Sequence, residues 1–540
     1  MERKRTDTKM LVVFFTLALV AMIFNWSSME KEQKKIQFNV ALTEKDVPAT
    51  LVLTTQAVGP FRGLIANGLW WRSLRMQEEG NYFEAIQLAS WITNLQPKLS
   101  SVWTYQAWNM VYNVSVEVDE PSDRWKWVYE GIKLLRNNGL KYNPRDPFIS
   151  IDVSRYIMEK LGKSGDKDAR YFRWRWALEM ERYFKQGDRA ELQLIIEAAT
   201  TRKELEKDPL VLELINLIQS KGDDPFSLKF HNMALPDYVN TEIADDAKRD
   251  AYEHLNYFVR RRDIMADLRL DATHMILIDD KYGPFDWRLY HAHVVYWGAE
   301  ESFDMPEGRE SYQFPYVRQA IVNSLYNGRF LYSDDKGIST SPNVEIIKNA
   351  HQYLATVFYE DPEANKVAGI FRDFHEMGVI LLYTFMYTED AEELYEDYRN
   401  HFMSSRDKAK YTFESFIVEK APLVLTQSRS DEAGALITSA LFQAYFWSLK
   451  DDLYRARGYE NLALVIYKKH QRTARINKKK PMPPFSKLKK DLVVYLKGSY
   501  SPLKAEMKDK LKTTQGTEKE IIKMKDLAKR KDLGIGTHHE

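Results

Sequence analysis

The sequence has no cysteine. That absence excludes a disulfide scaffold, thiolate zinc sites, iron–sulfur ligation and a cysteine nucleophile. Glycine (23) and proline (19) are few for 540 residues, which argues against an all-β chain with a turn after every short strand. No sign of charge dominates: 78 Lys+Arg stand against 77 Asp+Glu, a net +1. A nucleophile-elbow serine and a glycine-rich dinucleotide turn are both missing. Aromatic side chains, by contrast, are abundant. Trp (13), Tyr (31) and Phe (26) make up 13% of a chain that is 44% hydrophobic, enough apolar surface to exclude disorder over the whole length. A large, mostly helical protein is what remains.

One long apolar run is present, at the N-terminus. Arg3, Lys4, Arg5 and Lys9 precede Met10–Trp26, which only Thr16 and Asn25 interrupt. With Ser27–Met29, at ~1.5 Å per residue, it reaches about 30 Å, the thickness of a bilayer core. No small-residue cleavage motif follows, so the pattern predicts an uncleaved signal anchor over residues 1–29 more readily than a cleaved signal. Four basic residues before the span and Lys31, Lys34 and Lys35 after it predict the N-terminus in the cytoplasm and the body outside it, in the periplasm. A cysteine-free body suits an oxidising compartment.

After a lysine-rich linker over 30–59 the apolar spacing becomes helical. Phe61, Leu64, Ile65, Leu69 and Met76 recur at i, i+3, i+4. Gly80-Asn81 interrupts them, and Pro97 ends a second helix carrying Phe83, Ile86, Ala89, Trp91 and Ile92. Ala66–Pro97 resembles a tetratricopeptide repeat, a helix-turn-helix unit, through Gly80, Tyr82, Ala85 and Pro97. One period on, Trp103 and Ala107 fall on the family's first-helix aromatic and small positions. The sequence departs from the family at Arg72, Ser73, Ala89 and Ile92. Arg124-Trp125-Lys126-Trp127 and Arg173-Trp174-Arg175-Trp176 repeat one another after about 49 residues, a helix pair with an insertion. Tyr290–Ala299 resembles another first repeat helix, with Arg318–Phe330 its expected partner. The wider layout resembles membrane-anchored bacterial repeat proteins of no known activity, with a Trp-Trp first helix and an Asp-Trp-Arg element at Asp286-Trp287-Arg288.

These patterns predict an all-α fold: one transmembrane helix, then a TPR-like right-handed helical-repeat solenoid with insertions. The expected divisions are TPR-like repeats at 60–160, degenerate repeats at 161–300, further helical repeats at 301–470 and a basic, partly disordered tail at 471–540. Ile466–Glu540 holds 21 Lys+Arg against 8 Asp+Glu, so the even total is the sum of an acidic body and a basic tail.

Motifs for chemistry are weak. Leu161-Gly162-Lys163-Ser164 has the end of a phosphate loop, but Ile157 stands where the first glycine belongs and a helical pattern precedes it. His291 and His293 would point about 200° apart on a helix and cannot share an ion there. His375-Glu376 lacks a second histidine, Val379 standing in its place. Asp245, Asp246 and Asp250 read as a capped helix start rather than a Mg²⁺ site, and Asp334-Asp335-Lys336-Gly337 as a turn. The sequence therefore predicts neither a metal site nor a cofactor.

The resemblance to the repeat family implies a concave groove lined by Asn67, Trp70, Leu74 and Gln77, then Ser101, Thr104 and Trp108, flanked by Trp71 and Tyr105. Exposed aromatics there would anchor a protein partner. The expected function is a non-enzymatic, membrane-anchored scaffold or adaptor, binding protein partners in assembly of an envelope or secretion complex. One alternative is an α-helical enzyme built on Asp286, Trp287, Arg288, His291 and His293. Another is a lipid- or glycan-binding envelope protein whose basic tail meets anionic lipid or an acidic polymer. Nucleic acid is not an expected partner.

Overall fold

The computed structural model describes residues 62–162, 166–299, 302–303, 314–334, 337–360, 365–385, 387–417, 430–449, 452–476 and 481–497. The expected anchor (1–29), the linker (30–59) and the end of the basic tail lie outside these residues. No helix among the described residues is long and apolar enough to cross a membrane. Helix accounts for 79% and strand for 2%, so the fold is all-α. Chain contacts divide the protein into two units, residues 1–67 with 94–96 and residues 68–93 with 97–540. Of the first, the described part is the start of one helix and the end of the next. All other described residues belong to the second.

Helix α1 (Arg62–Glu78) and α2 (Tyr82–Leu95) are joined at Gly80. Its φ of +78° is left-handed, a conformation that favours glycine. The Gly80 amide donates to Gln77 O at 3.0 Å and the Asn81 amide to Met76 O at 2.7 Å, the double closure of a Schellman turn. Ala85 and Ala107 are fully buried, as the repeat pattern expects of small positions. Helix α3 (Ser100–Trp108) runs on through a π-helical stretch, Asn109–Val114, and α4 (Pro121–Lys133) through another, Leu134–Gly139. The two helices approach so closely that a Cβ on Gly131 would lie 2.5 Å from Val111 Cγ2.

The remaining long helices are α5 (Pro147–Leu161), α6 (Ala169–Met180), α7 (Arg189–Glu197), α8 (Pro209–Ser220), α9 (Asp246–Asp263), α10 (Ala272–Tyr282), α11 (Tyr290–Gly298), α12 (Phe314–Asn327), α13 (Ile347–Glu360), α14 (Asn365–Thr384), α15 (Thr388–Phe402), α16 (Ser430–Leu449), α17 (Leu453–Ile476) and α18 (Phe485–Lys497). Aspartates cap many of their starts. Asp146 accepts from Ile149 N, Asp245 from Lys248 N and Asp271 from His274 N. The Asp245-Asp246 pair is thus a helix start.

Many helices pack on their sequence neighbours, α16 on α17 and α14 on α15 among them. Helix α5, however, packs on α11, far along the chain. The Ser154 hydroxyl donates to Val294 O at 2.8 Å across this contact. A strictly nearest-neighbour array has no such long-range pairing. One hairpin, β1 (Arg329–Asp334) and β2 (Gly337–Ser341), stands where the sequence pattern continued a helix to Phe330. Trp103, Trp125, Trp176, Trp287 and Phe371 all belong to one contiguous buried cluster. The expected boundary at 470 falls within α17, and α18 adds Leu492, Tyr495 and Leu496 to that cluster.

Two glycine substitutions test this packing with opposite signs. A Cβ at Gly298 would lie 2.5 Å from Ser154 Oγ, whereas nothing lies within 4 Å of one at exposed, mid-helix Gly458. Gly298→Ala is expected to destabilise the full chain by about 1–3 kcal/mol, and Gly458→Ala to stabilise it by about 0.5–1 kcal/mol. Urea unfolding midpoints of the two variants check both.

Candidate functional site

The expected groove residues divide by environment. Trp70 and Tyr105 meet with ring centroids 4.8 Å apart. The Tyr105 hydroxyl donates to Gln77 Oε1 at 2.7 Å. The Ser73 hydroxyl bonds Ala85 O at 3.1 Å and reaches the Tyr105 hydroxyl at 3.4 Å. Trp70, Gln77 and Tyr105 therefore form one half-buried cluster. Thr104 donates to Ser101 O on its own helix, and half-buried Trp108 packs against the core beside Tyr112. Asn67 and Leu74 are exposed. Trp71 is 77% exposed, and Phe83 (66%) and Trp91 (50%) on α2 are open as well. Trp103, one period on, is buried and donates through Nε1 to Pro97 O at 2.8 Å.

Asp286, Trp287, Arg288, His291 and His293 are all buried, but they do not converge on one centre. Asp286 Oδ1 accepts from Arg288 Nε at 2.9 Å and from the Arg288 amide at 3.2 Å. Its Oδ2 accepts from Arg288 Nη2 at 2.8 Å and from the Phe330 amide of β1 at 3.0 Å. Arg288 Nη1 reaches Lys185 O at 3.0 Å, and the Trp287 amide reaches Gly187 O at 2.9 Å. That loop is itself gathered by Glu191, whose carboxylate accepts the amides of Lys185, Gln186 and Gly187. Gly187 has φ +68°, and a Cβ on it would lie 2.6 Å from Asp286 Oδ1. The Asp-Trp-Arg element is a clasp joining three segments. With both oxygens of Asp286 taken, it is poorly placed to act as a base.

His293 Nε2 lies 2.9 Å from Trp287 O, and Trp176 stands edge-on to the ring with centroids 4.9 Å apart. His291, on the other face of α11, makes no hydrogen bond through either ring nitrogen. It borders a cleft of about 420 Å³, shared with Arg170, Arg173, Tyr290, Lys487 and Asp491. Burial pushes both histidines down to about 3, the nearby Arg173 adding to the effect on His291. Of the five residues, His291 is the one that meets this cleft, beside its chain neighbour Tyr290.

A second constellation carries no short sequence motif. His351 (α13), His375 (α14) and Asp397 (α15) converge from three helices. His375 Nε2 lies 2.7 Å from Asp397 Oδ2, and His351 Nε2 lies 3.0 Å from the same oxygen. His375 Nδ1 is 2.8 Å from Phe371 O. His401 Nδ1 stands 3.2 Å from Asp397 Oδ1. Phe371 and Phe402 flank the His375 ring at 4.4 and 5.4 Å. Burial lowers the His375 pKa below the usual imidazole value. Burial raises that of Asp397, but hydrogen bonds from His351 and His375 outweigh it and hold the carboxyl below its usual range. The signal in the sequence is one ligand from each of three consecutive helices, two of which carry other aspartates or histidines as well, so it cannot be read without the packing.

Comparison with known proteins gives no relative: no family model matches the chain, and neither a curated protein nor a solved structure is similar to it.

Two measurements test the clasp and the buried histidines. Asp286→Ala leaves the Arg288 guanidinium buried without its carboxylate and is expected to cost about 3–5 kcal/mol in urea unfolding. The histidines set an acid limit. Their folded-state values lie below the ordinary 6.5, so the unfolded chain takes up protons that the folded chain refuses. Their contribution is complete above about pH 6.5 and is lost as pH falls toward 3, by up to ~1.4 kcal/mol per pH unit for each ring. His291→Gln should make the loss of stability between pH 6 and 4 shallower by about one proton.

Proposed function

We propose that the protein is a membrane-anchored helical-repeat scaffold whose body, outside the cytoplasm, binds a protein partner through its first helix pair. The observation that carries this reading is the exposure of Trp71, Phe83 and Trp91 on α1 and α2. Exposed Trp and Phe side chains on one helix pair offer anchors that a partner's apolar pockets can bury, and Trp is among the residue types enriched at binding hot spots. The half-buried Trp70–Gln77–Tyr105 cluster holds the adjoining surface in one geometry, which lowers the entropic cost of binding. The Schellman turn at Gly80 and the buried small residues Ala85 and Ala107 support a repeat-like helix pair at this end. The apolar run at residues 10–26 and its basic flank support the anchor. In this reading the repeat-like first helix pair presents the surface, and the basic tail rests on anionic lipid or an acidic envelope polymer. The enzyme reading is less favoured, because Asp286 and Arg288 satisfy one another and tie down backbone.

A photoreactive phenylalanine analogue placed at Trp71 or at Trp91, in the full chain in native membranes, tests the assignment. The expected product is a discrete crosslink to a second protein, absent when the analogue replaces Lys133 at the exposed end of α4. Crosslinks confined to the chain itself would contradict a partner surface.

A further inference from the structure

We propose that His351 Nε2, His375 Nε2 and Asp397 Oδ2 form a binding site for a divalent first-row transition metal, with Zn²⁺ as its best-fitting ion. The donor set of two imidazoles and one carboxylate is that of open zinc sites and of other first-row metal centres. The three donor atoms already lie within 4.8 Å of one another.

Proton bookkeeping gives the physical reason. Phe371 O can only accept, so His375 Nδ1 carries the ring proton that bonds it at 2.8 Å. In the neutral ring Nε2 is then a bare lone pair, aimed at a carboxylate oxygen 2.7 Å away. His351 Nε2 faces the same oxygen at 3.0 Å. At this distance His375 Nε2 and the carboxylate repel unless a proton or a metal ion lies between them, while His351 Nε2 either donates its own proton to the oxygen or, as the other tautomer, is free to ligate. A backbone carbonyl on the far nitrogen is the usual second partner of a metal-bound histidine, since it fixes the tautomer that ligates. Around an ion ~2.1 Å from each donor, the donors are spaced about 3.0–3.4 Å, so the carboxylate oxygen withdraws from both rings and the two imidazole nitrogens, within 4.8 Å of one another, rotate toward that spacing.

Each ligand has a distinct support. His375 is inaccessible and packed between Phe371 and Phe402. His351 and Asp397 are 27% and 30% exposed, so the ion would sit under the surface with a face open to water. His401 Nδ1 lies on the other carboxylate oxygen and on Asp397 O at 2.9 Å. It is a positioning residue, orienting Asp397 from one turn further along α15. A bound ion would pin α13, α14 and α15 together, and its open position would hold a water.

The test uses the purified full chain in detergent, stripped with chelator and titrated with Zn²⁺ against a competing chromophoric chelator. Several histidines lie elsewhere, including His538 and His539, so the comparison is among variants. One Zn²⁺ per chain should be held by the wild type and by the double variant His538→Ala, His539→Ala. His351→Ala and Asp397→Ala should each weaken that site at least about 100-fold, and His401→Ala about 10–100-fold. Co²⁺ in place of Zn²⁺ should give visible ligand-field bands that vanish in His351→Ala. Circular dichroism confirms that each variant is folded, and Asp397→Asn, which keeps the side-chain shape, serves if Asp397→Ala is not. Equal Zn²⁺ affinity in folded wild type and His351→Ala, or no Zn²⁺ held by the wild type, would overturn the site and leave a proton-bridged His–Asp pair in its place.

Discussion

Asp286 brings a carboxylate into the interior, where a charge persists only if it is paired and its remaining lone pairs are hydrogen-bonded. Both conditions are met by Arg288 and by the Phe330 amide. Through them the carboxylate ties the loop at 185–187, the segment leading into α11 and strand β1 to one another. The constraint spreads outward. Gly187 must be glycine because its φ is left-handed and the carboxylate lies against it. Glu191 must accept three loop amides so that the loop carbonyls face Arg288 and Trp287. With the start of α11 fixed, its other face can pack on α5 through Ser154 and Gly298.

Asp286 and Arg288 are therefore engaged with one another and with backbone, and two other features are open to other molecules. One is the aromatic surface of α1 and α2, where Trp71 and Trp91 remain open. Another is the junction of α13, α14 and α15, where imidazoles meet a carboxylate that no guanidinium or lysine in their own cluster neutralises. The two carboxylates differ in what faces them. One has an arginine built beside it, the other has imidazole nitrogens.

Local signals in the sequence were legible where one residue type answers one local demand. Gly80 is needed for a left-handed turn, Ala85 and Ala107 for close approach, Asp245 for a helix start. The Asp-Trp-Arg element stood out by composition, but its role could not be read, because its partners lie some 100 residues upstream and at β1. Of the hairpin only the turn at Asp334-Asp335-Lys336-Gly337 was legible, because the helical spacing of Arg318–Phe330 runs into β1 and the Phe330 amide is held by the distant Asp286. The His351–His375–Asp397 cluster has no consecutive spacing at all: each helix supplies one ligand, and only the packing of three helices brings them together.

If the interior around Asp286 and His291 is structural, the first helix pair is the surface that meets a partner. Hydroxyl-radical footprinting of the full chain, in native membranes and after purification in detergent, measures this directly. Trp71 and Trp91 are expected to oxidise readily once purified and to become protected in native membranes, while Trp287 stays protected in both. Equal oxidation of Trp71 and Trp91 in the two states, with new protection appearing instead around Tyr290 and the cleft beside His291, would contradict it.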